Sequence, residues 1–228
     1  MTPETIARHR EALTHVFWIG GPPDAGKSTA AGTAANALRA SLYRQDGKEM
    51  NHLRRADSAS HPHNAHLHSL VSSLSEASLI GTLWLRDRPE AMARQARRVW
   101  EERIDFICDD LLKLPNDHPI VAEGPGLFPA VVVPLLTRPN QAVWLVPTEA
   151  FKRESHEQRR KSEWRSQTSA PETAMANHIA RDLILANQYR EELAKRRLPW
   201  IEVDGSADAD AVADRVIRWF RGDGKGRP

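Results

Sequence analysis

The chain has 228 residues, 40 % of them apolar, and 32 basic residues stand against 30 acidic ones for a formal charge of +2. That content supports a sizeable core and one domain carrying an inserted cover or lid, and the near-neutral balance leaves no strong field for nucleic acid or a membrane surface. The longest apolar run, residues 130–136, is far too short to span a bilayer, and the single cysteine, Cys108, allows no internal disulfide and is read as helix packing in a reducing cytosol.

The N-terminal residues lack the apolar stretch of a signal peptide, so a cytoplasmic location is expected. His15-Val16-Phe17-Trp18-Ile19 is an apolar run suited to a buried strand. Read from Gly21, the next residues fit G-x-x-x-x-G-K-[ST], the Walker A phosphate loop, without a gap. The alanine-rich residues 28–39 then favour a helix, weakened by Gly32. Strand, loop and helix follow in the order a phosphate cradle requires. Glycines let the backbone curl so that successive N–H groups face phosphate oxygens, and the helix adds its positive end. Gly21, Asp24, Ala25, Gly26, Lys27, Ser28 and Thr29 are therefore assigned to the nucleotide, with Lys27 on the outer phosphates and Ser28 on Mg²⁺.

Residues 41–46 read as a second strand ending in Asp46, placed to face an acceptor and to act as general base or hydroxyl-orienting group; Asp46-Gly47 is equally a good turn. Residues 51–80 are polar and weakly periodic, with His52, His61, His63, His66 and His68 in no common zinc spacing, and read as a cover over the acceptor pocket. His52 and Arg55 are candidate substrate contacts. Arg86, Asp87 and Arg88 precede the next helix and either bind the acceptor, with Arg88 as the choice, or pair with one another. Trp84 and Trp100 read as packing rather than stacking residues.

A long helix is predicted over 89–114, then a short buried strand, Ile120-Val121-Ala122, closed by Glu123-Gly124-Pro125-Gly126. Glu123 is placed to hold Mg²⁺, with Ser28, or to take the acceptor proton, and so competes with Asp46 for the base. Residues 142–146 form another strand. The charged stretch 149–165 carries Lys152, Arg153, Arg159, Arg160, Lys161 and Arg165, suited to closing over a migrating phosphoryl group; interleaved glutamates also fit a solvated helix. Arg153 and Arg160 are the candidate catalytic arginines. An amphipathic helix over 172–197, a strand at 200–204 and a terminal helix complete the pattern, and residues 222–228 read as a disordered tail. Strands alternating with helices predict a parallel sheet covered on both faces, with ligands beyond the strand C-termini.

The chain resembles the small P-loop kinases, the group that includes adenylate, shikimate and gluconate kinases and chloramphenicol phosphotransferase. The resemblance rests on Gly21-x₄-Gly26-Lys27-Ser28, on Ile120-Val121-Ala122-Glu123-Gly124, on the basic stretch after Val146, and on residues 200–206 with the helix after them. It implies a three-layer α/β/α P-loop NTPase fold with a five-stranded parallel sheet in order 2-3-1-4-5, and ATP with Mg²⁺. It also implies a lid over about 149–170, an acceptor-side cover over about 47–90 within a domain spanning 1–221, and an adenine-flanking loop carrying Asp204 and Ser206. Glu123-Gly124-Pro125-Gly126-Leu127 stands where nucleoside monophosphate kinases usually carry Asp-Gly-Phe-Pro-Arg, which points to a small hydroxylated acceptor rather than a nucleotide. The expected activity is transfer of the γ-phosphate to a small-molecule hydroxyl. The alternatives are a nucleoside or nucleoside monophosphate kinase and a nucleotide-dependent regulatory ATPase. No nucleic-acid or membrane partner is expected, and the oligomeric state is left open, with a homodimer as one option.

Overall fold

A computed structural model describes residues 1–159 and 168–223, with side chains for 1–155 and 168–223. The apolar runs form five strands: Val16–Gly20 (β1), Ser41–Arg44 (β2), Ile120–Glu123 (β3), Ala142–Pro147 (β4) and Trp200–Val203 (β5). All four pairings are parallel, in the order β2-β3-β1-β4-β5. β1, β3 and β4 are buried along their whole length, as continuous apolar runs covered on both faces must be. This is a three-layer α/β/α arrangement of the P-loop NTPase kind.

One face of the sheet is covered by Lys27–Leu38 (α2) and Ala209–Arg221 (α10). Small alanines at 30, 31, 34 and 35 let α2 lie close, and Val212, Val216 and Phe220 supply the apolar stripe of α10 over Phe17, Val143 and Ile201. Asp208 caps the start of α10 and Gly222 its end. The other face packs under Pro3–Ala12 (α1), Pro89–Leu111 (α6) and Pro171–Arg196 (α9), where Trp18, Trp144, Phe128 and Tyr189 fill one cluster with Ile107, Cys108 and Leu111. Burial raises the Cys108 thiol to about 12, so it packs as an inert apolar group.

The cover is more ordered than the sequence suggests. Residues 49–84 fold as three helices, Glu49–Arg55 (α3), Pro62–Ser73 (α4) and Glu76–Trp84 (α5). Their periodicity is weak because polar groups dock them. The Glu102 carboxylate accepts from the backbone N–H groups of His63 and Asn64 at 3.1 and 3.0 Å, satisfying the first turn of α4 from α6. Arg103, 2 % exposed, donates to Asn64 Oδ1 at 2.9 Å and to Glu49 at 2.7 Å, tying α3, α4 and α6 together.

After β4 the charged stretch begins as Glu149–Arg159 (α8). The predicted lid residues Arg160, Lys161 and Arg165, and the predicted tail from Gly224 onward, lie outside the described residues. Phe128 precedes a short helix, Pro129–Val132 (α7). Among the described residues no helix is long and apolar enough to cross a membrane.

Candidate active site

The strand register gathers the site. Ile19 and Arg44 both stand opposite Glu123, and Gly20 stands opposite Trp144, so β1, β2 and β3 end on one rim. At the end of β1 the chain turns sharply. Gly21 has φ +138°, and a Cβ there would lie 2.0 Å from the Leu145 carbonyl oxygen, so only glycine fits. Asp24 also takes a positive φ, of 62°. The loop closes at Gly26, the N-cap of α2, where no side chain caps the first turn. A helix start left to its backbone N–H groups is an anion site in waiting, and here the glycine-rich loop aims it. Lys27 is buried and donates to the Pro22 carbonyl at 2.7 Å. Burial lowers its pKa, opposed by Glu123, Asp46 and Asp24.

Glu123 is 2 % exposed at the end of β3. Ser28 Oγ donates to its Oε1 at 3.0 Å, while Oε2 is buried with no hydrogen-bond partner in the structure. Burial raises its pKa; Lys27 and the Ser28 hydroxyl pull the other way. A buried carboxylate with an orphaned oxygen next to the loop serine fits a hard divalent cation, as Mg²⁺ requires.

Asp46 follows β2, at the start of the 3₁₀ turn Asp46–Lys48. It is exposed, and its carboxylate makes no hydrogen bond or ion pair among the described residues. The residue before it, Gln45, was not singled out from the sequence. Gln45 is buried and accepts from the Gly126 N–H at 2.9 Å. Its side chain fills the space a Cβ would need at Gly124 or Gly126, which is why the residues after Glu123 read Gly-Pro-Gly. Gln45 thereby locks the end of β2 to the end of β3 and fixes Asp46 beside Glu123.

Two cavities meet here. One of about 330 Å³ lies at the phosphate loop, lined by Asp24 through Thr29, Asp46, Trp100 and Pro125. A second, of about 320 Å³, lies between α4, α5 and α6. Asp46 and Trp100 line both. Trp84 lines the second and packs at a tilt against His178, with ring centroids 4.4 Å apart. The sequence reading of both tryptophans as plain packing therefore misses their place on a cavity wall. No periodicity could reveal it, because the cavity forms between helices that are distant in sequence.

Among the described residues of the basic stretch, Lys152 touches the loop. Lys152 is 1 % exposed and reaches Asp24 at 2.8 Å, the Pro23 carbonyl at 3.1 Å and Asp182 of α9 at 2.6 Å. Burial alone would raise the pKa of Asp182, but Arg181, Lys152 and His178 hold it below the usual carboxylate value. Arg181 in turn lies over Trp84 at 4.6 Å and Trp100 at 5.9 Å from the ring centroids. A continuous chain of contacts thus runs from the phosphate loop to the wall of the second cavity.

Other sequence candidates sit elsewhere. His52 is buried and meets Asp110 at 3.0 Å, and Arg55 pairs with Asp110 and Asp109, so both bind α3 to α6 and do not line the two cavities. Their neighbourhood in sequence to Asp46 misleads because α3 turns these side chains away. Arg88 is the solvent-exposed N-cap of α6, and the cavity takes Arg86 and Asp87 instead. Arg153 is exposed and pairs with Glu149 one turn back on α8, so the described contact is a solvated ion pair. Asp204 accepts from the Ser206 N–H and hydroxyl at 2.9 and 2.6 Å, closing its own loop. The Phe151 ring of α8 lies against Gly205 in that loop.

No family model and no curated protein sequence matches the chain. Among solved structures it is similar to shikimate kinase from Acinetobacter baumannii in complex with shikimate. The two share 13 % identity, with 95 % of this chain and 99 % of that chain covered, at a TM-score of 0.45. A likeness of that degree carries nothing about substrate.

Proposed function

We propose that the protein transfers the γ-phosphate of ATP to a hydroxyl of a small molecule. The observation that carries this reading is the shared wall. A phosphate-loop cavity lined by Lys27 and Ser28, with the buried Glu123 held by Ser28 behind it, shares Asp46 and Trp100 with a second cavity of comparable size. A switch ATPase has no need of the second chamber.

The two carboxylates divide the work. Glu123 is engaged by Ser28 and does not line the second cavity, which suits a metal site. Asp46 lines both cavities with its carboxylate unengaged, which suits the base. Held by Ser28 and Glu123, Mg²⁺ would neutralise phosphate charge. The acceptor oxygen attacks the γ-phosphorus and gives its proton to Asp46. The new O–P bond forms as the bond to the β,γ-bridging oxygen breaks, and ADP leaves with that electron pair. Lys27 and the loop N–H groups hold the phosphate oxygens throughout. In the same reading the loop carrying Asp204 and Ser206 flanks the adenine, and Arg153 and Arg160 belong to the lid. Lys152 acts as a positioning residue, since it grips the phosphate loop without lining either cavity.

Incubation of the protein with γ-labelled ATP and pools of hydroxylated small molecules tests the proposal. A labelled product that depends on Lys27 is expected. Slow ADP formation with no labelled acceptor from any pool would overturn the transfer reading in favour of a regulatory ATPase.

A further inference from the structure

We infer that the second cavity takes an uncharged acceptor with a flat apolar body, aromatic or alicyclic, that carries its reactive hydroxyl at the Asp46 end. The inference rests on the phosphotransferase reading for the direction of the hydroxyl, but its content comes from the walls and charges of the cavity.

The walls are apolar on several sides. Leu67 and Leu70 come from α4, Leu83 and Trp84 from α5, and Met92 and Trp100 from α6. At about 320 Å³ the space is at the small end of ligand cavities, sized for a single ring system with short substituents. Thr82, Gln95, Glu49 and Asp87 can serve hydroxyls on part of the wall, but a polyhydroxylated acceptor would still set the rest against leucine, methionine and indole surface, where each unmatched hydroxyl costs about 1–3 kcal/mol.

Charge narrows the class further. Three arginines line the cavity, which at first sight invites an anion. Each already faces a carboxylate: Arg86 meets Asp87 at 3.4 Å, Arg103 meets Glu49 at 2.7 Å, and Arg181 meets Asp182 at 2.7 Å. Arg103 and Arg181 are held further, by Asn64 and by the faces of the two indoles. An anionic acceptor would have to pull Arg103 or Arg181 from its partner or rely on the exposed Arg86, and it would lie beside Asp46, whose charge repels it. A cationic acceptor would face the three guanidinium groups together with the carboxylates of Asp46, Glu49 and Asp87, and so meets no net attracting field. An acceptor without charge disturbs none of these pairs and leaves Asp46 for the hydroxyl proton.

Three benzylic alcohols of matched size and one polyol separate the classes. Methyl 4-(hydroxymethyl)benzoate is uncharged, 4-(hydroxymethyl)benzoate is its anion, 4-(aminomethyl)benzyl alcohol is its cation, and myo-inositol is the polyol. Binding to the full chain is measured by calorimetry without nucleotide, and Mg·ATP is titrated separately. The ester is expected to bind at least tenfold tighter than the other three. Leu70→Asp and, independently, Leu83→Asn are each expected to weaken the ester at least tenfold, with Mg·ATP binding and the melting temperature near those of the parent. Equal or tighter binding of the carboxylate, the amine or inositol overturns the inference. So does absence of ester binding at millimolar concentration, or ester binding indifferent to both variants that retain the parent fold. These failures leave the phosphotransferase reading standing if Mg·ATP still binds. Failure to bind Mg·ATP, with the ester bound as expected, removes that reading and leaves the cavity assignment intact.

Discussion

The phosphate loop and the acceptor cavity share Asp46 and Trp100, yet they are built from different materials. The loop side is backbone. The six residues between β1 and α2 supply its curvature and N–H groups and the first residue of α2 its lysine, and close approach of neighbouring carbonyls dictates glycine at 20 and 21. The acceptor side is side chains. Three short helices lend one to three residues each and α6 lends six, and pairs that cross between elements, such as Arg103 with Glu49, hold them in register. A backbone site tolerates almost any surroundings and asks for a fixed local sequence. A side-chain cavity asks for no local sequence, only for helices docked in register. In the proposed reading, specificity for the acceptor would therefore reside in the half of the molecule that is free to vary, and the phosphate chemistry in the half that is not.

That contrast breaks down if the two halves cannot be separated by mutation. Lys27→Ala removes the cation that faces the phosphates and is expected to lower phosphate transfer about a thousandfold, or about 4 kcal/mol, while leaving probe binding in the second cavity unchanged. Loss of probe binding in calorimetry would show that the halves are one unit. Lys152→Met strikes the one described contact chain that joins them. It leaves Asp24 and Asp182 buried against each other's field with Arg181 as the remaining described guanidinium partner, and should cost about 3 kcal/mol of stability, read by chemical denaturation. It should also weaken Mg·ATP and acceptor binding together; a variant that loses stability but keeps both affinities would reduce Lys152 to a structural strut. Asp46→Asn sharpens the comparison at the shared wall. Turnover is expected to fall about a hundredfold with KM for ATP nearly unchanged, and retained turnover would return the base role to Glu123.

The same division decides what could be read from the chain. The loop, the order of strands and helices, the carboxylates at strand ends and the apolar stripe of α10 are all local patterns, and all appear in the fold where residue spacing puts them. The acceptor half resists such reading. α4 is legible only once Glu102, some forty residues away, is known to cap it. Arg86 and Arg88 are indistinguishable in sequence, yet Arg86 lines the cavity and Arg88, the N-cap of α6, does not. Lys152 hides among basic neighbours because its two carboxylate partners lie 128 and 30 residues away. Glu123 is intermediate: its place at a strand end is a local fact, but its orphaned oxygen and its contact with Ser28 are tertiary ones.

The smallest effect concerns the joint that holds the acceptor half to the core. His52 Nε2 meets Asp110 at 3.0 Å, so the ring proton is assigned to Nε2, and Nδ1 is buried with no partner. A second proton would therefore lie on a nitrogen with nowhere to donate. Burial lowers the His52 pKa below 6.5; the Asp110 hydrogen bond and charge oppose this, and Arg103 and Arg55 add to it. Below pH about 6.5 the unfolded chain takes up a proton that the folded chain refuses, so this residue makes stability fall as pH drops from about 6.5 towards the folded value. His52→Gln removes the titration. Denaturation midpoints of parent and variant should converge between pH 7 and pH 5, with transfer activity at neutral pH within about twofold of the parent. Midpoints that diverge as the pH falls, the parent gaining on the variant, would show instead that His52 is protonated in the fold, held as an ion pair with Asp110. The joint between α3 and α6 would then be electrostatic like the rest of the acceptor half. A large loss of transfer would instead restore His52 to the substrate role that its position after Asp46 suggests.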